Sequence, residues 1–230
     1  RYCLWLKDCP PDKLRKMPEV LKRIEAVKKM REASTDAATR KAADTASLFQ
    51  AIRQSDKEYL LIPRHSSENR DYVPMGYVSS DVVCGDANST VPNASLYHFG
   101  VMTSKTHNAW MRALAGRIKS DYRYSASIVY NNFAWPTPTD KQKATIEKAA
   151  QAVLDARLLF PQSSLADLYD PLSMPPELVK AHQQLDKAVD AAYGKTFKNE
   201  AERVAHLFEL YQQLTAPLVA VEKGKKRKGA

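Results

Sequence analysis

The sequence predicts an α+β fold in which a small mixed β-sheet with flanking helices is followed by an all-α domain. Three observations carry this. Residues 59–100 alternate short apolar runs with Pro, Gly, Ser and Asn, the punctuation of short strands and turns. Residues 96–136 hold two of the three tryptophans and read as strand, helix, tight polar loop and strand. Beyond Pro136-Thr137-Pro138 the apolar residues recur at three- and four-residue steps, the period of packed helices. The expected boundaries are 1–138 for the mixed domain, 139–221 for the helical domain and 222–230 for a disordered basic tail.

Tyr2, Leu4 and Leu6 alternate with Cys3, Trp5 and Lys7, which predicts a strand over residues 1–8, ended by Pro10-Pro11. Residues 17–33 form an amphipathic helix with Val20, Leu21, Ile24, Val27 and Met30 on one stripe. Its other side is rich in Lys and Arg, which reads first as a solvated face and alternatively as a contact for phosphates. Residues 35–54 look helical, with a loop around 39–45. Strands are expected at 59–63, 72–78, 82–84 and 96–99.

A helix over 106–118 follows, with Ala109, Trp110, Ala113, Leu114 and Arg117 on one face and Gly116 weakening its end. Then Lys119, Asp121 and Arg123 alternate with Ser120, Tyr122 and Tyr124. In an extended chain the three charges point one way and the other residues the opposite way.

The helical half opens on Thr139-x-x-Gln142, a capping box for a helix over 141–159. Pro161 ends it, and Ser164 starts a short helical turn. Pro175-Pro176 opens a helix to Ala192, with Gly194 as its C-cap. A last helix covers 199–215. Asp167, Asp170 and His182 read as surface residues.

The chain has 230 residues, net charge +9 and a hydrophobic fraction of 44%, which is enough for a core and excludes a disordered basic chain. The charge excess favours a polyanionic partner. Cys3, Cys9 and Cys84 fit no metal spacing and are expected to be reduced thiols. No apolar run approaches a membrane span. The chain starts at Arg1, within the first expected strand and without a methionine, and is therefore expected to be a piece of a longer protein.

Catalytic patterns are missing. There is no glycine-rich phosphate loop, no GxSxG elbow and no HExxH, and the five histidines are scattered. Asn131-Asn132-Phe133-Ala134-Trp135-Pro136 reads as a strand end whose aromatics pack inward. Recognition of DNA fits the residues better. Lysine donates to the O6/N7 edge of guanine and aspartate accepts from the cytosine amino group, so Lys119 and Asp121 on one face suit the two halves of a G·C pair. On pattern alone, an ion pair between Lys119 and Asp121 on an exposed turn is the plainer reading.

The blocks SSENRDYVPMGYVSSD, LYHFGVMTSKTHNAWMRALAGRIKSDYRYS, IVYNNFAWP and SLADLYDPLSMPPELVKAHQQLDKAVDAAYG, with QKATIEKAAQAVLDAR and EAERVAHLFELYQQL, resemble the C-terminal part of MmeI-like restriction–modification enzymes. These are large single chains with a nuclease domain, a helical spacer, an adenine-N6 methyltransferase domain, a target-recognition domain and a C-terminal helical region. The resemblance covers the last two and nearly the whole chain. It implies that the segment matching Lys119–Arg123 is a base-reading element. Members carry either an acid–base or a base–acid pair at the positions of Lys119 and Asp121, and the Lys/Asp order resembles the G-reading kind. Arg123 and Ala87, the latter in the loop 85–88, resemble a pair that reads a purine.

These readings set the expectations. Lys119, Asp121, Arg123 and Ala87 contact bases, and Arg64, Ser66, Arg70, Lys105 and Arg117 hold the DNA backbone. No metal and no cofactor belong to this piece. The resemblance implies S-adenosylmethionine in the parent protein and Mg for any nuclease domain. The partners are double-stranded DNA and the N-terminal methyltransferase domain of the same chain, in a cytoplasmic protein with no membrane contact. The alternative is a protein-interaction scaffold without base reading.

Overall fold

The computed structural model describes the backbone of residues 2–226 and the side chains of residues 2–216. The chain forms two compact units, Arg1–Ser55 and one that starts at Asp56.

The first unit is helical. Its segment 2–8 forms no ladder, so the expected strand over residues 1–8 is irregular chain instead, and Leu4 is half exposed. An alternating pattern is not enough for a strand when no second strand offers its N–H and C=O groups. Helices α1 (Pro11–Arg15) and α2 (Pro18–Glu32) each begin with proline, where the missing N–H costs no hydrogen bond. Helix α3 (Ala37–Lys41) is capped by the Asp36 side chain, which accepts from the Thr39 N–H, and runs into a 3₁₀ turn, Ala42–Thr45. Arg31 is the hub. It is 7% exposed and its guanidinium donates to the carbonyls of Ala42 (2.8 Å), Thr45 (3.1 Å) and Leu48 (2.8 Å). Those carbonyls lie where the α3–3₁₀ run ends; Thr45 O also accepts from the Leu48 N–H and Ala42 O from the Thr45 hydroxyl, so the guanidinium adds a further donor there. Three of the lysines on α2 and its opposing acids pair along the helix, Lys22 with Glu19, Lys28 with Glu32 and Lys29 with Glu25.

The second unit has two three-stranded sheets, both purely antiparallel, so the α+β class stands while the sheet is two small antiparallel ones rather than one mixed one. In the first, β1 (Tyr59–Pro63) lies between β3 (Gly76–Val78) and β4 (Asn88–Pro92). In the second, β6 (Asp121–Arg123) lies between β2 (His65–Ser66) and β5 (Gly116–Ile118). Between them come helices α4 (Leu96–Thr103) and α5 (Lys105–Leu114).

Five expectations are corrected. Residues 96–99 are the first turn of α4, not a strand. Ser95 and His98 cap it reciprocally, and a short run that is apolar on every side has no period to separate a buried helix from a strand. Of the expected strand over 72–78 only Gly76–Val78 is extended in a ladder, and 82–84 is irregular. The polar run Asn88–Pro92, not among the expected strands, is a strand because β1 pairs with all of it. The helix expected over 106–118 starts at Lys105 and stops at Leu114, and Gly116–Ile118 is strand β5.

Helices α6 (Asp140–Leu158), α7 (Leu165–Leu168), α8 (Pro176–Ala192) and α9 (Glu200–Lys226) complete the fold. The Thr139–Gln142 capping box is present at α6. The expected disordered tail over 222–230 is helical as far as Lys226, and residues 227–230 lie outside the described residues. The core lies between α4, α6 and α8. At Gly100 an added Cβ would meet Ile146 Cγ2 at 2.9 Å and Ala150 Cβ at 3.1 Å, so α4 approaches α6 as closely as it does because position 100 has no side chain. His182, expected at the surface, is fully buried. Its ring stacks on Tyr72 with centroids 4.0 Å apart, and its Nε2 lies 2.6 Å from the Tyr169 hydroxyl.

Helix α8 also holds the start of α5. The Asp186 carboxylate accepts from the Lys105 backbone N–H at 2.7 Å and from the Tyr72 hydroxyl at 2.7 Å. Asp190 accepts from Thr106 Oγ1 at 2.7 Å and pairs with Arg203 of α9. Carboxylates at a helix N-terminus satisfy its unpaired amides and complement the helix dipole. The far end of α5 leads directly into β5.

Candidate nucleic-acid interface

Strands β5 and β6 form a hairpin with the two-residue loop Lys119-Ser120, in register Gly116 with Arg123, Arg117 with Tyr122 and Ile118 with Asp121. Lys119 has φ 56°, the positive-φ conformation that tight hairpin turns call for at their first position. Directly paired residues share a face. One face is therefore Ile118, Asp121, Gly116 and Arg123, extended by His65 of β2, which pairs with Arg123. All five are exposed. The opposite face is Arg117, Tyr122 and Ser66. Lys119 and Ser120 stand exposed at the tip, so the strict three-charge alternation holds for Asp121 and Arg123 while the turn carries Lys119.

The covered face fixes the exposed one. Tyr122 is 7% exposed, with the Arg117 guanidinium 3.8 Å above its ring, and Arg117 also reaches Glu68 at 3.5 Å and the Ser120 carbonyl. Tyr124 is 3% exposed, and its hydroxyl lies 3.0 Å from His107 Nε2 on α5. Burial pushes the His107 imidazole down to about 3, so it is neutral, and pushes the Tyr124 phenol up. Asp121 is oriented by the Glu68 backbone N–H, which donates to Oδ1 at 3.3 Å. Among the described residues neither Lys119 nor Asp121 is in an ion pair, so the internal pair that the pattern alone favoured does not form.

Arg64 links the two sheets. Its backbone N–H donates to the Ala87 carbonyl at 3.0 Å, and its carbonyl accepts from the Tyr124 N–H at 2.8 Å. The loop containing Ala87, which is exposed, is thereby hydrogen-bonded through one residue to the end of β6, next to Arg123. Lys119, Asp121, Arg123 and Ala87 are thus brought to one region by the hairpin and this bridge.

The residues expected to hold the DNA backbone do not form one group. The Arg64 side chain is half-buried beside Ser89. Ser66 is 6% exposed on the covered face beside Tyr122, which corrects the expectation that its hydroxyl meets a phosphate: the register turns it inward. Arg70 is half-buried and donates to the Ala166 carbonyl at 3.4 Å, so it serves α7. Lys105 lies with Nζ 5.9 Å from the Tyr72 ring centre, at the start of α5. Arg117 is exposed but lies across the sheet from Asp121 and Arg123. Sequence reasoning missed His65 and Ile118 on the exposed face, because register, not composition, puts them there. Among the described residues no cluster of His, Cys, Asp and Glu could hold a metal, and no helix is long and apolar enough to cross a membrane.

Such an arrangement, a short β-ribbon with exposed charges propped on a helical body, defines an α+β recognition module. The chain belongs to the MmeI target recognition domain family, which matches residues 1–137; the MmeI C-terminal domain family matches residues 138–219. It is 39% identical to DNA methyltransferase A of Bacillus subtilis (strain 168) over 216 residues, covering 94% of this chain and 24% of that protein. It is similar to a solved structure of the Type IIL restriction-modification enzyme MmeI in complex with DNA, at 49% identity and a TM-score of 0.90, covering 93% of this chain and 29% of the other. The chain therefore spans under a third of the length of these relatives.

Proposed function

We propose that this chain is the sequence-reading part of a DNA adenine-N6 methyltransferase of restriction–modification type. Residues 1–138 are its target-recognition domain and 139–221 its C-terminal helical domain. Lys119, Asp121 and Arg123, with Ala87 beside them, meet base edges in the major groove, whose width admits a two-stranded β-ribbon. The remainder of the parent protein is the methyltransferase domain, which draws on S-adenosylmethionine, flips its target adenine and methylates it in the cytoplasm. Mg belongs to a nuclease domain where the parent has one.

The observation that supports this best is the hairpin itself: its charged residues are exposed and form no ion pair with each other, while its tyrosines are buried beneath. A cation and an anion held outward without neutralising each other suit a hydrogen-bonding edge that offers both acceptors and a donor.

The test exchanges both charges. Lys119→Glu with Asp121→Arg in the full-length protein is expected to change the methylated motif at one end base from G to C, read by methylome sequencing. The single variants lose about 1–3 kcal/mol of discrimination at that position. An unchanged motif in the double variant removes the assignment.

A further inference from the structure

We infer that β5 is a second reading strand: Ile118 meets the methyl group of a thymine, and Gly116 leaves the flank of Arg123 open for the duplex. This rests on the DNA-reading function proposed above and adds a base contact that the charges of β6 do not make.

Ile118 is directly opposite Asp121 on the exposed face and is 45% exposed, with charged side chains around it. Its place in register with Asp121, on the face of the hairpin that carries the exposed charges, is what gives this side chain a role. The only apolar group that B-form DNA presents in its major groove is the thymine C5-methyl, and apolar side chains contact it. Directly opposed residues have Cβ atoms about 5 Å apart, so Ile118 is placed to meet a base pair close to the one Asp121 reads.

Gly116 is directly opposite Arg123 on the same face. It has no positive φ and nothing lies within 4 Å of an added Cβ, so neither backbone conformation nor packing requires glycine there. A glycine that the fold does not need, beside an exposed arginine, marks a place where another surface approaches closely.

The experiment uses the full-length protein and its own methylation motif. Each thymine in the motif and its two flanking pairs is replaced singly by uracil, which removes only the methyl group, and binding is measured. For the unaltered protein one replacement is expected to weaken binding about fourfold, and Ile118→Ser is expected to be indifferent to the same replacement. Gly116→Val is expected to keep the thermal unfolding midpoint and to weaken binding by about tenfold or more. Indifference of the unaltered protein to every uracil, equal sensitivity in Ile118→Ser, or full binding by Gly116→Val overturns the inference. Arg123→Ala is run beside them: if it too binds and methylates as before, the DNA-reading function fails, whereas its loss of discrimination with insensitive β5 variants sinks only the role of β5.

Discussion

The Tyr124 hydroxyl and His107 Nε2 stand 3.0 Å apart beneath the hairpin, tying the residue after Arg123 to helix α5. Both groups are buried, and Nδ1 of the same ring has no hydrogen-bond partner among the described residues. Tyr124→Phe leaves Nε2 unpaired as well. The expected cost is about 1–3 kcal/mol of stability, measured by urea unfolding, with DNA affinity falling alongside because the hairpin loses its anchor.

The buried histidines set the acid response. Burial pushes His107 and His182 down to about 3, while the unfolded chain protonates them near pH 6.5. Their stabilisation is therefore complete above that pH and is lost as pH falls. Asp186 works the other way: burial raises it to about 6, so between pH 6 and 4 the folded chain holds a proton that the unfolded chain has released. Two protons gained against one lost leave a net uptake of about one on unfolding, or about 1.4 kcal/mol lost per pH unit in that window. Urea midpoints measured from pH 7 to pH 4 check the slope, and His182→Gln flattens it.

Arg31 holds three carbonyls of the first unit with one guanidinium. Arg31→Ala removes a donor from each of those carbonyls and is expected to cost about 2 kcal/mol. Lysine, a single point donor, does not substitute for the planar fork. Limited proteolysis within residues 1–55 reads the effect, with cleavage in Arg31→Ala and Arg31→Lys well ahead of the unaltered chain.

At Gly100 two effects oppose each other. Alanine gains about 1 kcal/mol of helix propensity. Its Cβ, however, meets Ile146 and Ala150 too closely, and overpacking costs about 1–3 kcal/mol. Gly100→Ala is expected to lower the thermal midpoint slightly and Gly100→Val strongly.

Lys119 offers a dissociation of stability from recognition. Its φ of 56° costs a non-glycine residue about 1 kcal/mol. Lys119→Gly is expected to raise stability by roughly that amount while erasing discrimination at the base proposed for it. A variant that is more stable and less selective is the outcome to look for, in paired unfolding and methylation assays.

Much of this was legible beforehand, for reasons tied to particular residues. Helices with a clear apolar stripe, such as α2, α6 and α8, stand where the periodicity puts them. The outward Asp121 and Arg123 and the inward Tyr122 and Tyr124 follow from period-two alternation. What was hidden depends on pairing. Asn88–Pro92 is a strand because β1 lies beside it, and residues 2–8 are not because no strand among the described residues pairs with them. Ser66, His65 and Ile118 are assigned to faces by register, which no single strand carries. The charge total was a poor guide too: residues 56–221 have 17 Lys and Arg against 18 Asp and Glu, so the hairpin stands on a body with almost no net charge.

The carboxylates that Asp186 and Asp190 extend from α8 to the first turn of α5 have a consequence for protein engineering. A chimaera that transplants only the sheet-bearing segment and stops before α8 leaves that turn with its Ser104 cap alone, without the two carboxylates that hold the Lys105 amide and the Thr106 hydroxyl. Exchange of specificity between relatives is best done by cutting ahead of Asp56 and carrying every helix through α9, or by altering single hairpin side chains in place.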